Sequence, residues 1–481
     1  MLNCWQKYKN DFVFLKSRKD LFKNMKIIIV GCGKVGYALC RQLNEEGHDI
    51  TLIDKNAERI QPAINTLDIQ ALAGNGASFL AQQEAGIESA DLLIAVTNED
   101  EINLISCLIA KKVGNNCRTI ARVRNPEYFS ELEYLKSAMG VSLIINPEYF
   151  AAVEISRLIQ IPDALEIDSF AKGRVDLLKF AIPKDSPLDN IKVLEFSKKF
   201  NHNVLICIIE RKHEIIIPSG NTILHSGDNI SVIMPKSKIA SFCRAFQMSS
   251  VREIKNVMIA GGGTTAYYLA QLLAKSGIDV RMIEKDRNRS NFLSLALPKT
   301  QIINADATVH ENLLEERLSQ MDAFVSLTTS DETNIFLSLF ANKIAPKCKK
   351  ITKVSRMAHD EIIEELPIGS IISARNTTTE HILQYIRSQI NSYGSNIEAL
   401  YRLMDDQVEA LEFHIRENCT FIGIPLQHLA LKKNLLICCI VRKRRIITPS
   451  GKDTMELDDT VIVVTTNKGL KDISDILKDD K

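Results

Sequence analysis

The run "GCGKVG", Gly31 to Gly36, spaces three glycines so that a strand can turn sharply into a helix beneath a pyrophosphate. In that pattern Gly31 permits the turn, Gly33 lets the backbone approach a phosphate, and Gly36 lets the helix pack closely on the sheet. Cys32, Lys34 and Val35 complete the loop and carry successive backbone N–H groups into the helix start, where the helix dipole adds positive potential. "DITLID" follows and ends in Asp54, a strand-end carboxylate able to accept both hydroxyls of a ribose. A carboxylate there repels a 2′-phosphate, so the chemistry is recognition of NAD(H) or ATP/ADP in preference to NADP. A plain strand-end cap is the other role open to Asp54.

Ligands of open α/β sheets bind at the carboxyl ends of the strands, so the residues just past each strand-sized run are further candidates. Gly74 and Asn75 follow "IQALA", and Thr97 and Asn98 follow "DLLIAV". Arg122 lies within "IARVR", where a charged side chain is costly unless it meets a phosphate or a carboxylate. A nucleotide phosphate and a structural salt bridge are both open to it. No catalytic residue and no metal site are expected. None of the nine histidines falls on a loop at the carboxyl edge of the first sheet, and His48 precedes the second strand, at the opposite end. A Walker lysine loop, a nucleophile elbow and a metal-ligand cluster are likewise missing from the sequence. The expectation is a nucleotide that is sensed and not consumed.

The elements that position these residues occur twice. "VMIAGGGTTAYYLA", from Val257, repeats the strand, turn and helix start. Gly261, Gly262, Gly263, Thr264 and Thr265 form the second turn, and Ala266 replaces its last glycine. "AVTNEDEIN" from Ala95 recurs as "SLTTSDETN" from Ser326, and "NVLICIIERKHEIIIPSG" from Asn203 as "NLLICCIVRKRRIITPSG" from Asn434, both 231 residues on. The glycine turns are 230 apart, so the second copy gains one residue before its third strand. Such a register implies duplication of a whole module. In the second copy Glu284 takes the place of Asp54, Asp306 that of Asn75, and Val354 is read at the position of Arg122. The second site is therefore expected to be weaker or structural.

Strand-sized apolar runs alternating with helical stretches argue for βαβ units on a parallel sheet, and short alternating strands broken by "PSG" turns argue for a small, mostly β lobe. The fold class expected is α/β, two Rossmann-like parallel-sheet domains each followed by a small α+β lobe. The boundaries read as an N-terminal extension over 1–24, a first Rossmann-like domain over 25–150 and a crossover helix with lobe over 151–236. A linker over 237–255, a second Rossmann-like domain over 256–375 and a second crossover helix with lobe over 376–481 follow. The apolar helices "INLISCLIAKK" and "NIFLSLFANKI" are candidates either for core packing or for self-association.

Bulk properties narrow the class. With 481 residues, 45% hydrophobic and 25% charged, the chain has the composition of a multidomain globular protein. A net charge of +1 with interleaved signs gives no nucleic-acid footprint. Eleven cysteines without a CxxC pair indicate neither a disulfide framework nor a zinc site, which favours a reducing compartment. The longest apolar runs fall short of the roughly 20 residues that span a bilayer. The first 24 residues are basic and aromatic, include Trp5 and Phe12, and precede Met25, which is the other candidate start.

Together, "MKIIIVGCGKVG", "DITLID", "GNGAS", "EAGIESADLLIAVTNEDEINLISC", "IARVRNPEY" and the paired "PSG" lobes resemble the bacterial Trk potassium-uptake regulators, the TrkA family of tandem RCK (KTN) domains. The resemblance extends from Met25 to about Leu477. It implies a cytoplasmic protein, peripheral to the inner face of the membrane, that assembles as a ring of RCK lobes under a TrkH- or TrkG-type potassium-translocating subunit. It also implies regulation through NAD(H) and adenine nucleotides such as ATP/ADP. The family's nucleotide contacts fall on Gly31 to Val35, Asp54, Thr97, Asn98 and Arg122, and in the second half on Gly261 to Thr265 and Glu284. An NAD-dependent oxidoreductase and a soluble redox or energy sensor with a different partner are the alternatives.

Overall fold

Four sheets account for the strands among the described residues. In the first, β1 (Lys26–Val30), β2 (Asp49–Asp54), β3 (Gln70–Ala73), β4 (Leu92–Ala95), β5 (Arg118–Arg122) and β6 (Leu143–Ile145) lie in the order β3-β2-β1-β4-β5-β6, every pairing parallel. The central strands are continuous aliphatic runs because helices cover both faces: Ile27 to Val30 and Leu92 to Ala95 are all buried. The strand order reverses between β1 and β4, so a crevice opens at the carboxyl ends of those two strands. The structure is a computed structural model that describes residues 24–481 apart from 172, 185, 200–203, 213, 246–253, 355–362, 364–365, 374–377, 380, 384, 387–396, 405–406, 416–420, 444, 471 and 479–481. The expectations for the N-terminal extension, Trp5 and Phe12 included, lie outside the described residues.

A five-stranded antiparallel sheet follows, built from β7 (Glu166–Phe170), β8 (Val175–Ala181), β9 (Leu205–Arg211), β10 (Glu214–Ile216) and β11 (Asn229–Ile233) in the order β10-β9-β11-β8-β7. The stretch read as a linker opens with the helix Lys236–Ala245, whose Phe242 packs on Phe180 and Phe196 of this lobe with ring centroids 5.1 and 6.1 Å away. The pattern then repeats. β12 (Asn256–Ala260), β13 (Asp279–Glu284), β14 (Thr300–Asn304), β15 (Ala323–Ser326), β16 (Lys349–Lys353) and β17 (Ser370–Ile372) form a second parallel sheet of the same order. β18 (Ile397–Leu403), β19 (Val408–His414), β20 (Leu435–Arg442), β21 (Arg445–Ile447) and β22 (Thr460–Thr465) form a second antiparallel one.

Sheet register locates the extra residue of the second copy. Thr51 pairs with Gln70 and Arg281 with Gln301, so the offset changes between the helix Arg287–Ala296 and β14. The sixth strands, β6 and β17, were not expected; "SLIIN" and "GSIIS" are too short to stand out from neighbouring apolar residues.

By packing, the chain divides into two units, one of residues up to Ala151 with Ser373–Leu383, the other of Ala152–Ile372 with Gln384–Lys481. The first contains the first parallel sheet, and there Phe150 stacks on His381 with centroids 4.3 Å apart. The second contains the other three sheets. Within it the two antiparallel lobes share one apolar core, in which Phe170, Leu177, Cys207 and Ile208 meet Val408, Ala410, Cys438 and Ile462. The buried Glu412 in that core accepts from the Ala171 N–H and from the Tyr401 hydroxyl at 2.7 Å, which satisfies a carboxylate that would otherwise oppose burial. Among the described residues no helix is long and apolar enough to cross a membrane.

Candidate functional site

The first glycine turn is built by backbone geometry. Gly31 has φ +104°, a conformation that favours glycine, and its N–H donates to the Ile53 carbonyl at 2.7 Å, tying the turn to β2. A Cβ on Gly36 would fall 1.9 Å from the Gly31 carbonyl oxygen, so the helix Lys34–Glu45 presses on the turn at that position. Over Gly33, by contrast, an added Cβ meets nothing within 4 Å. That helix has no side-chain cap and no acidic residue in its first turn, so its leading N–H groups and dipole face an open space. These donors fit a phosphate, and among the described residues no side chain caps them.

Asp54 is buried and already engaged. One carboxylate oxygen accepts from the Cys32 N–H at 2.6 Å and the other from the Asn56 N–H at 2.8 Å. It therefore holds the glycine turn to the end of β2, the cap role, while its remaining lone pairs leave capacity for a ribose hydroxyl. The Cys32 thiol donates to the Arg59 carbonyl at 3.1 Å. Burial, with the Asp54 charge second, pushes this thiol up, so it stands as a neutral donor. Lys34 is exposed at the helix start, and Val35 turns inward to the core.

Across the crevice, the loop after β4 is clamped by a residue the motif reading missed. Asn103, fully buried, accepts from the Thr97 N–H and the Thr97 hydroxyl, both at 2.8 Å, and donates to the Thr97 carbonyl at 3.2 Å and the Arg122 carbonyl at 2.9 Å. Thr97 is thus spent on loop geometry, and the exposed Asn98 offers its carbonyl to the Arg124 guanidinium. Gly74 N–H bonds the Asp54 carbonyl at 2.9 Å, and Asn75 caps its own loop by accepting from the Ala77 N–H at 3.0 Å. Asp100, also missed, accepts from the Arg124 and Asn125 N–H groups at 2.8 Å each.

Arg122 makes no ion pair within 4 Å among the described residues, and its buried Nε has no hydrogen-bond partner. Glu148, in the first turn of the helix Pro147–Gln160, has a buried and equally unpartnered Oε2. Burial and then Arg124 lower the Arg122 pKa against the pull of Glu148 and Asp100, while burial raises that of Glu148 against the pull of Arg122. Among the described residues the salt-bridge reading of Arg122 thus has no partner within 4 Å.

The second copy repeats this construction. Gly261 has φ +103° and bonds the Ile283 carbonyl at 2.8 Å, and Gly263 precedes the uncapped helix Thr264–Lys275. Thr264 is half-buried and Thr265 buried in the first turn of that helix. Glu284 accepts from the Gly262 and Asp286 N–H groups, both at 2.7 Å. Asn334 clamps Thr328 as Asn103 clamps Thr97. Asp306 holds its loop through the Thr308 N–H at 2.9 Å and hydroxyl at 2.7 Å, bonds that lower its pKa. Ala266 is fully buried behind the turn.

One expectation is corrected. Asn103 and Asn334 donate to the Arg122 and Lys353 carbonyls, each at 2.9 Å, and the Val123 and Val354 N–H groups both bond the next strand, at Ile145 and Ile372. Arg122 therefore corresponds to Lys353, and Val354 to Val123. The extra residue precedes β14, so the offset at β16 is the larger one; the second copy keeps a cation there, and of the two grounds for ranking it weaker only Ala266 is left.

His48 sits at the far end of the first sheet, with its Nδ1 accepting from the Met25 N–H at 3.4 Å. Among the described residues no group of three or more His, Cys, Asp or Glu could hold a metal ion.

Residues 27–147 and 257–374 match the TrkA-N domain, and residues 177–247 and 410–478 the TrkA-C domain. A Trk system potassium uptake protein TrkA homolog of Archaeoglobus fulgidus is 32% identical over 454 residues, 94% of this chain and 100% of that protein. The Trk system potassium uptake protein TrkA of Vibrio alginolyticus is 31% identical over 455 residues, 94% of this chain and 98% of that one. Among solved structures, the GsuK channel bound to NAD superposes with a TM-score of 0.60 at 15% identity, covering 93% of this chain and 77% of that chain. The GsuK RCK domain superposes with a TM-score of 0.60 over 93% of each chain. At that identity the likeness is one of fold.

Proposed function

Because the chain belongs to the TrkA family of tandem TrkA-N and TrkA-C domains, we propose that it is a nucleotide-binding regulatory subunit of a potassium-uptake system. Its ligands are NAD(H) and adenine nucleotides such as ATP/ADP. Its partner is a membrane potassium-translocating subunit of the TrkH or TrkG type, under which it assembles as a ring at the cytoplasmic face. The observation that carries the reading is the pair of open, uncapped helix starts, each facing a glycine turn tied to a strand-end carboxylate.

In this reading the first-turn N–H groups after Gly33 and Gly263 receive the phosphates, and Arg122 and Lys353 each stand at the edge of their own sheet's crevice. Asp54 and Glu284 keep each turn in place while offering lone pairs to a ribose. The groups nearest the crevice are structural clamps, so nucleotide binding without turnover follows. A sensor of this kind works only if its ligand prefers one of two conformations, since equal affinity shifts nothing. The test is potassium flux through the co-reconstituted partner with NADH, NAD+, ATP and ADP titrated separately. A nucleotide-dependent change in flux is expected, with no loss of NADH absorbance on simple carbonyl substrates. Flux indifferent to every nucleotide, or sustained NADH turnover, would overturn the reading.

A further inference from the structure

The two antiparallel lobes are repeats of one unit, yet one repeat position carries opposite charges. β7 and β8 form a hairpin whose first pair is Phe170 with Val175, and β18 and β19 one whose first pair is Leu403 with Val408. Counted from those pairs, Lys179, opposite Glu166, holds the place of Glu412, opposite Ala399. Ala171 and Met404 match in the same way, each following the first strand of its hairpin and each at φ +50°.

Both positions reach across to the other lobe. Glu412 accepts from the Ala171 N–H, while the Lys179 ammonium donates to the Met404 sulfur at 3.5 Å. The contact therefore occurs twice, once as an acceptor facing a backbone donor and once as a donor facing a side-chain acceptor. Each group is completed within its own lobe: Lys179 pairs with Glu210 at 2.8 Å, and Glu412 accepts from the Tyr401 hydroxyl at 2.7 Å. The Tyr401 ring stands edge-on to Phe170 of the first lobe, with centroids 4.7 Å apart. Asp168 and Leu403 hold the places of Tyr401 and Phe170 in the repeat, so this ring contact forms on one side only.

Like lobes do not fit one another in this geometry. Two first lobes set each Lys179 ammonium against an Ala171 N–H, donor against donor, with the Met404 sulfur missing. Two second lobes put a Met404 side chain where Ala171 leaves room for Glu412 and Tyr401, and they bury two carboxylates at one interface.

We propose that Lys179 and Glu412 make this face accept only the unlike lobe, so that each chain closes its own pair and refuses a second copy of the chain there. Specificity of this kind comes as much from what the wrong pairing leaves unsatisfied as from the contacts of the right one. Assemblies of several chains then grow through other surfaces.

Lysine cross-linking with mass spectrometry on full chains tests this, using two variants that make the lobes alike. Glu412→Lys places a base in both, and Lys179→Glu with Glu210→Lys places an acid in both while keeping the ion pair within the first lobe. Each variant alone should lose lobe-to-lobe cross-links by about tenfold or more, with cross-links inside each lobe unchanged. Glu412→Gln, which still accepts both bonds, should keep the wild-type pattern. When the two variants are mixed, one isotopically labelled, cross-links should join the first lobe of the Glu412→Lys chain to the second lobe of the other, because that pairing restores the native contact. Labelled and unlabelled wild type should cross-link lobes within chains only. Wild-type levels of lobe cross-links in Glu412→Lys, or first-lobe to first-lobe links between wild-type chains, overturn the proposal. Where a single variant is insoluble, co-expression with the other should recover both chains; insolubility of the two together also overturns it.

Discussion

At the residue scale the site depends on an amide more than on its charges. Asn103 closes four hydrogen bonds between the loop after β4 and the end of β5, and Asn334 repeats the arrangement. Replacing Asn103 by Ala strands the Thr97 N–H and the Arg122 carbonyl, an expected loss of about 2–3 kcal/mol. Urea unfolding of Asn103→Ala should show that loss, and nucleotide affinity should fall with it because Arg122 is no longer held at the crevice. An unchanged midpoint would mean that water replaces the amide. The sequence did hold a signal for this residue, since "TNEDEIN" and "TTSDETN" keep their asparagine in register. It was passed over because an amide carries no charge and matches no ligand motif.

At the element scale the two strand-to-helix turns make a controlled comparison. Their entry dihedrals agree, φ +104° at Gly31 and φ +103° at Gly261, yet one is followed by Gly36 and the other by Ala266. In the first copy a methyl at Gly36 collides with backbone, which cannot swing aside as a flexible side chain would. Gly36→Ala should therefore lower stability by about 1–3 kcal/mol despite its better helix propensity. Ala266→Gly should cost no more than about 1–2 kcal/mol, from propensity and a lost methyl contact. Thermal melts of both variants check this; equal shifts would show that the first helix gives way to a methyl at little cost.

At the scale of the whole molecule, assembly is where the repeat matters most. The helices Asp100–Val113 and Asp331–Ile344 each bury one apolar face on their own sheet, through Leu104, Cys107 and Ala110 in one and Leu337 and Ala341 in the other. Each also turns an apolar residue outward at the corresponding position, Ile105 at 42% exposure and Phe336 at 69%. The core-packing reading thus holds for the inner faces, and the outward residues are the surface proposed for self-association. For the proposed ring, Ile105→Glu and Phe336→Glu should shift light scattering toward smaller species without lowering the melting temperature, because neither side chain is in a core. Unchanged assembly in both variants would place the association surface elsewhere.

The sequence by itself determined the duplicated architecture, the parallel order of the Rossmann sheets and the location of both turns, because hydrophobic period, glycine spacing and a constant offset are properties of local runs. It also carried the correct partner of Arg122, once the inserted residue is placed before β14. What only the tertiary structure decided concerns who touches whom. It showed that Asp54 and Glu284 hold their own turns, and that half-buried Arg122 and Glu148 each keep a buried atom without a partner among the described residues. Those outcomes turn on atoms far apart along the chain approaching within 3 or 4 Å, distances that propensity and spacing do not encode because they are set by how the helices pack on the sheet.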